Sequence, residues 1–227
     1  NTQEHYETVV QAGADLFVIR GASVSAEHIS TSHEPLNLKK FIYELDVPVM
    51  VGGVAGYTQA KHLMRTGAAG VLVGFGGGSA MTTRKGLGIS APMATAIADV
   101  AAARSDYLDE SGGRYVHVIA DGGLSRSGDL VKALALGADA VMIGAPLARA
   151  SEAPGQGWYW GNEAHSVDFP RGVRTPLGVV GTLEEVLYGP SHHVDGTRNI
   201  VGALKRAMAT CGYLDLKKFQ KAEMTLV

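Results

Sequence analysis

The sequence predicts an α/β fold, the C-terminal five strands of a (β/α)8 TIM barrel, and three observations carry that expectation. Five short runs rich in Val, Ile and Leu recur along the chain: LFVI (16–19), PVMVGG (48–53), GVLVGFG (70–76), VHVIADGG (116–123) and AVMIGAP (140–146). Their continuous apolar character is that of strands buried on both faces. Between them lie segments of helical periodicity, such as TQAKHLMRTG, APMATAIADVAAAR and SGDLVKALALG, so strand and helix alternate and the sheet is expected to be parallel. Finally, one unit echoes: AGADLFVIRG, TGAAGVLVGFG and LGADAVMIGAP each place a glycine after a helix, then small residues, then a strand ending near glycine.

Each element has a local reason. The opening NTQEHYETVVQAGAD reads as the middle of a helix, so residues upstream of Asn1 are expected. Gly13, Gly67 and Gly137 fit left-handed caps at helix C-termini, where a Cβ would clash. An open doubly wound sheet repeats the same unit; the barrel is favoured because a complete one takes roughly 250 residues and the clipped start leaves room for roughly three earlier βα units. After the fifth strand the repeat breaks. The stretch at about 146–197, containing EAPGQGWYWGNEAHSVDFPRGVRTPLGVVG, is rich in Gly, Pro, Trp and Tyr. Long segments of this kind commonly serve as active-site lids, and a flap that orders on binding is expected, with a subunit contact as the alternative. Residues 1–227 thus read as part of one barrel domain.

Composition narrows the function. The chain is 46% hydrophobic, enough for a buried core, and its formal net charge of -2 comes from 20 basic and 22 acidic residues with no long run of either sign. An electrostatic grip on nucleic acid or membrane is not expected. The single cysteine, Cys211, excludes an internal disulfide and reads as an inert packed thiol in the closing helix. With neither a leader nor a spanning apolar stretch in the sequence, a cytoplasmic protein is expected.

Three loops carry candidate chemistry. In VIADGGLSRSGDL a strand delivers Asp121 to its C-terminal end, Gly122 and Gly123 leave backbone N–H groups uncovered, and Ser125 to Asp129 offer caps for the next helix. A phosphate suits such a turn and Asp121 could accept from sugar hydroxyls; a plain Asp-Gly-Gly turn with a capping role is the alternative. The next strand ends in MIGAPLARA, where Gly144 and Ala145 could supply amides, and barrels often build a phosphate site after their last two strands. In GFGGGSAMTTR (74–84), Gly76, Gly77 and Gly78 allow close backbone approach beside the hydroxyls of Ser79, Thr82 and Thr83. A flexible connection would have the same composition.

In this order GFGGGSAMTTR, VIADGGLSRSGD, ALALGADAVMIG and EAPG resemble the IMP dehydrogenase/GMP reductase family, and LKRAMATCGYLDLKKFQ is similar to that family's final helix. The likeness spans essentially the whole chain and is strongest to the bacterial IMP-dehydrogenase-related branch without the inserted regulatory domain. It implies a (β/α)8 barrel binding a purine mononucleotide (IMP, XMP or GMP) and an NAD- or NADP-dependent oxidoreductase acting at purine C2, from IMP to XMP or in the GMP reductase sense. It also implies a homo-oligomer, commonly a tetramer. By the same resemblance Ser79, Gly122, Gly123 and Gly144 with Ala145 contact phosphate, Asp121 binds ribose, and Arg171 and Gly172 of the flap bind substrate. Arg20, Gly74 and Gly76 fall on the cofactor side, and the carbonyls of Gly76, Gly78 and Met81 fall where family dehydrogenases hold a monovalent cation such as K+.

The departures fall on the chemistry. Met81 stands at the position of the family's nucleophilic cysteine, next to Thr82, and a thioether has no proton to lose and forms no such adduct. A non-catalytic nucleotide-binding protein is therefore the alternative function. Arg20 replaces an aspartate for the nicotinamide ribose, Val54 an asparagine, Ala145 a serine and Pro170 a phosphate-touching tyrosine. Arg20 would suit a 2′-phosphate or a salt-bridged rim. His192 and His193, adjacent and without spaced partners, read as loop residues.

Overall fold

The computed structural model describes residues 2–21, 36–161 and 173–225. Helix α1 (Thr2–Gln11) leads into β1 (Phe17–Arg20), then α2 (Leu38–Tyr43), β2 (Val49–Val54), α3 (Tyr57–Arg65) and β3 (Gly70–Val73). After these come α4 (Thr83–Leu87), α5 (Met93–Glu110), β4 (His117–Asp121), α6 (Ser127–Ala135) and β5 (Ala140–Met142). The five strands pair in chain order, β1-β2-β3-β4-β5, and every pairing is parallel. A doubly wound sheet reverses its strand order partway, so consecutive order identifies the winding of a (β/α)8 barrel, of which this chain forms five strands.

The sheet has two apolar faces, as the unbroken runs require. Val49, Val51, Val71, Val73, Val118 and Ala120 join Ala60, Leu63 and Met64 of α3 and Ala96, Ile97, Val100 and Ala103 of α5 in one buried cluster. The helical members recur every three or four residues, the stripe of an amphipathic helix. Leu72 and Ile119 are buried on the other face, where a Cβ on Gly70 would lie 2.9 Å from Ile119 Cδ1 and 3.2 Å from Met50 Cγ. Gly13, Gly67 and Gly137 hold φ of +85°, +102° and +107°, as their capping role demands.

Beyond β5 the described residues form further elements. It forms α7 (Ala145–Ala148), an antiparallel pair β6 (Trp158–Tyr159) and β7 (Thr175–Pro176), then α8 (Leu183–Tyr188), α9 (Ile200–Thr210) and α10 (Leu216–Phe219). Helix α8 is set by a capping box: Glu185 N–H donates to Thr182 Oγ1 at 3.2 Å, and Thr182 N–H to Glu185 Oε2 at 2.8 Å. Cys211 corrects the expectation of a packed thiol. It follows α9 as its C-cap, with its N–H on the Ala207 carbonyl at 3.0 Å, and its side chain is exposed at the helix end. No helix among the described residues is long and apolar enough to cross a membrane.

The last helix is tied to the sheet by one carboxylate. Asp139, just ahead of β5, accepts from Val118 N–H (2.9 Å), Arg104 Nη1 (2.9 Å), Tyr115 Oη (2.6 Å), Lys217 Nζ (2.6 Å) and Gln220 Nε2 (3.1 Å). Burial opposes its ionisation, but the hydrogen bonds from Lys217, Tyr115, Val118 and Gln220 outweigh it and hold the carboxyl well below the usual carboxylate range. A depressed folded-state pKa adds stability above the group's ordinary pKa and loses it as pH falls. Asp139→Asn is expected to cost about 3 kcal/mol at neutral pH, because Arg104 loses its counter-charge in a buried site. Urea denaturation across pH should show that gap narrowing in acid.

Candidate functional site

The C-terminal ends of the strands meet around one cleft of about 300 Å³, near the lower bound for small-ligand sites. Into it β1 delivers Arg20, the turn after β3 delivers Gly76, Gly77, Gly78, Ser79 and Met81, β4 delivers Asp121, Gly122 and Gly123, and the turn after β5 delivers Gly144 and Ala145. The three sequence-distant loops therefore converge on one space. Gly77 and Gly122 face each other so closely that a Cβ on Gly77 would lie 3.4 Å from the Gly122 carbonyl carbon. Gly76, Gly122 and Gly123 hold φ of +69°, +111° and +73°, which only glycine adopts without strain.

Among the described residues, the N–H groups of Gly77, Gly78, Ser79, Gly122 and Gly123 have no protein acceptor. Successive uncovered amides of this kind form an anion-binding concavity. The start of α6 contributes less than its sequence suggests. Ser125 and Arg126 N–H donate to Asp129 Oδ2 at 3.4 and 3.2 Å, and Ser127 N–H donates to the Gly196 carbonyl at 2.8 Å. Asp129 and the Gly196 carbonyl take up these three amides, which leaves the two glycine turns to supply uncovered ones.

Arg20 and Asp121 form an ion pair across the cleft, Arg20 Nε to Asp121 Oδ2 at 2.6 Å, with side-chain exposures of 32% and 7%. Arg20 pairs in register with Gly52, where a Cβ would collide with Leu72 of β3. Of the two roles open to Arg20, the structure contains the salt bridge, and it engages one oxygen of the carboxylate expected to hold sugar hydroxyls.

The other expected residues distribute as follows. Met81 lines the cleft, and its N–H donates to the Gly78 carbonyl at 3.0 Å. Thr82 is the residue before α4, and Thr83 is buried beneath the loop. Gly74 is buried behind the cleft, where a Cβ would meet the Asp121 carbonyl at 2.4 Å, and Val54 is wholly inside the core. Arg171 and Gly172, with Pro170, lie outside the described residues. Val173 N–H donates to the Ala80 carbonyl at 2.7 Å, which ties the returning segment to the glycine loop. His192 and His193 sit in a loop, and among the described residues no cluster of His, Cys, Asp or Glu is suited to a metal ion. Tyr159 and Trp160 also line the cleft. The sequence signals them only as an aromatic-rich stretch, WYW, in the segment after β5.

Comparison with known proteins gives a consistent result. Residues 1–174 match the model of the IMP dehydrogenase / GMP reductase domain. The chain is 57% identical over 100% of its length to a protein of Mycolicibacterium smegmatis named an uncharacterized oxidoreductase, of which it covers 61%. It is 31% identical over 97% of its length to the inosine-5′-monophosphate dehydrogenase of Aquifex aeolicus, covering 46% of that protein. A crystal structure of an IMP dehydrogenase/GMP reductase-like protein from Corynebacterium glutamicum superposes with a TM-score of 0.91 at 56% identity, over 98% of this chain and 58% of that one. The chain thus spans less than two thirds of each of these relatives.

The ion pair makes a measurable claim. Arg20→Gln and Asp121→Asn, singly and together, should show a coupling of about 1–2 kcal/mol by urea denaturation. The value lies below that of a fully enclosed pair because solvent reaches the Arg20 side chain.

Proposed function

This chain belongs to the IMP dehydrogenase/GMP reductase family, and from that premise we propose that its cleft binds a purine 5′-monophosphate. The carrying observation is the convergence of the turns after β3, β4 and β5, with uncovered amides at Gly77, Gly78, Ser79, Gly122 and Gly123, on one space. In this reading the phosphate lies against those amides and the Ser79 hydroxyl, near Gly144. Asp121, with one oxygen held by Arg20, offers its other oxygen to a ribose hydroxyl. Charge-assisted bonds from several fixed N–H groups favour a dianionic ligand without requiring a lysine or arginine at the phosphate.

Turnover is a separate question, with two readings. The relatives' names support an oxidoreductase, which in this family means NAD- or NADP-linked chemistry at purine C2 of the IMP-to-XMP or GMP reductase type. A nicotinamide dinucleotide would supply the hydride acceptor or donor. The residues on that side fit it poorly: Arg20 brings a cation where ribose hydroxyls need a carboxylate, and it is already bonded to Asp121. Met81 removes the thiolate that would add to C2. Both observations favour the second reading, nucleotide binding without turnover.

IMP, XMP and GMP should each raise the melting temperature in proportion to ln(1 + [L]/Kd), and Ser79→Ala should reduce the shift. No shift at millimolar nucleotide would overturn the assignment. Absorbance of reduced nicotinamide, followed with IMP plus NAD and with GMP plus NADPH, separates the two readings. Silence in the native protein is expected, with activity gained in Met81→Cys if only the nucleophile is missing.

A further inference from the structure

We infer that the Arg20–Asp121 pair makes this cleft indifferent to the ribose 2′-hydroxyl, so that it takes purine 2′-deoxyribonucleoside 5′-monophosphates as readily as ribonucleotides. This rests on the reading that a purine 5′-monophosphate fills the cleft with its sugar at Asp121, and it names the ligand class of that site more closely. Asp121 is the one carboxylate lining the cleft among the described residues. An ionised carboxylate accepts hydrogen bonds and donates none, so a free one can hold both hydroxyls of a ribose, one on each oxygen. Here Arg20 Nε already stands 2.6 Å from Oδ2. Among the described residues Oδ1 has no protein donor, and a single open oxygen meets a single hydroxyl.

The backbone holds both partners in place. Asp121 ends β4 in register with Met142 of β5, and on the other side its carbonyl oxygen would lie 2.4 Å from a Cβ on Gly74. Arg20 ends β1 in register with Gly52. Directly after it, Gly21 N–H donates to the Gly52 carbonyl at 2.7 Å and Gly53 N–H donates to the Gly21 carbonyl at 3.0 Å. Opening Oδ2 to a second hydroxyl therefore falls to the Arg20 side chain alone.

That exchange is unfavourable. The Asp121 side chain is 7% exposed, so withdrawal of Arg20 leaves a buried carboxylate without its counter-charge. The hydroxyl arriving in its place is a neutral donor and makes the weaker bond. A ribose thus gains little from its second hydroxyl, and a 2′-deoxyribose, which keeps the 3′-hydroxyl, occupies Oδ1 equally well. Removing both hydroxyls leaves Oδ1 without a donor from the sugar, in a site closed to most of the solvent.

The test is calorimetric titration of the intact protein with GMP, 2′-deoxyGMP and 2′,3′-dideoxyGMP. Wild type should bind the first two within about threefold of each other and the third about tenfold or more weakly, the loss of one hydrogen bond to a charged group. Arg20→Met keeps an unbranched side chain of similar length and removes every donor, which opens both oxygens of Asp121. With a melting curve showing that it is folded, this variant should prefer GMP to 2′-deoxyGMP about tenfold or more. Should it fail to fold, the three wild-type affinities decide by themselves. A wild type that prefers GMP to 2′-deoxyGMP tenfold overturns the inference, since Asp121 then takes both hydroxyls in spite of Arg20. Equal binding of all three overturns it as well, because Asp121 then takes neither, yet the phosphate site stands. Equal affinities for GMP and 2′-deoxyGMP in folded Arg20→Met remove Arg20 as the cause and overturn it too. Binding of none of the three removes the purine-monophosphate reading and the inference with it.

Discussion

Everything at the cleft depends on how closely neighbouring strand ends approach. A Cβ on Gly53 would lie 2.2 Å from the Gly74 carbonyl oxygen, and a Cβ on Gly74 would lie 2.4 Å from the carbonyl oxygen of Asp121. Across β2, β3 and β4, therefore, these positions have no room for a side chain of their own, and at Gly74 the Met93 side chain crowds the same place. A methyl group at either place would force the strands apart, at a cost of about 1–3 kcal/mol by the usual measure of overpacking. The functional consequence exceeds the energetic one. With the strands held this close, the turns that follow bring Gly77 against Gly122, and both line the same cleft.

Stability and function sit at opposite ends of the strands, as barrels usually divide them. At the N-terminal end of β5, Asp139 gathers β4, α5 and α10 through Val118, Arg104, Lys217 and Gln220. Its 7% side-chain exposure makes that network costly to break. On the surface, Glu110 ties α3 to α5 through Arg65 and Lys61, and those partners lower its pKa to about 2. Because that carboxylate is open to solvent, screening leaves it a small energetic weight despite the large shift. The buried anchor fixes where β4 and β5 begin, and hence where Asp121, Gly122 and Gly144 end up.

What the sequence revealed follows from which forces act locally. The five strands were readable because burial on both faces writes an uninterrupted apolar run, and Gly13, Gly67 and Gly137 because a left-handed cap admits little else. The glycine turns after β3, β4 and β5 were readable as candidates, and their convergence needed only the strand order. The Arg20–Asp121 bond joins residues 101 positions apart on non-adjacent strands, and no short-range pattern encodes it. The capping box Thr182–Glu185 was present as T-x-x-E inside a stretch whose composition suggested irregularity. Cys211 was misplaced because apolar neighbours in sequence do not say which side of a helix end faces solvent.

Binding and chemistry in such a cleft are carried by different atoms, and this chain separates them. The amides of Gly77, Gly78, Ser79, Gly122 and Gly123 belong to the backbone, and their direction is set by strand approach and positive φ, so a change of side chain at position 81 leaves them in place. Reactivity at that position belongs to the side chain alone and vanishes with the thiol. The Arg20–Asp121 pair pushes further in the same direction. Sugar hydroxyls that approach Asp121 must share it with a cation 2.6 Å away, whereas an anion at the glycine turns meets donors with no competing partner among the described residues. On the proposed reading, affinity is weighted toward the phosphate end of a nucleotide and away from its ribose. On that reading a phosphate-weighted pocket retains its ligand with Met81 at the position of the family's nucleophile.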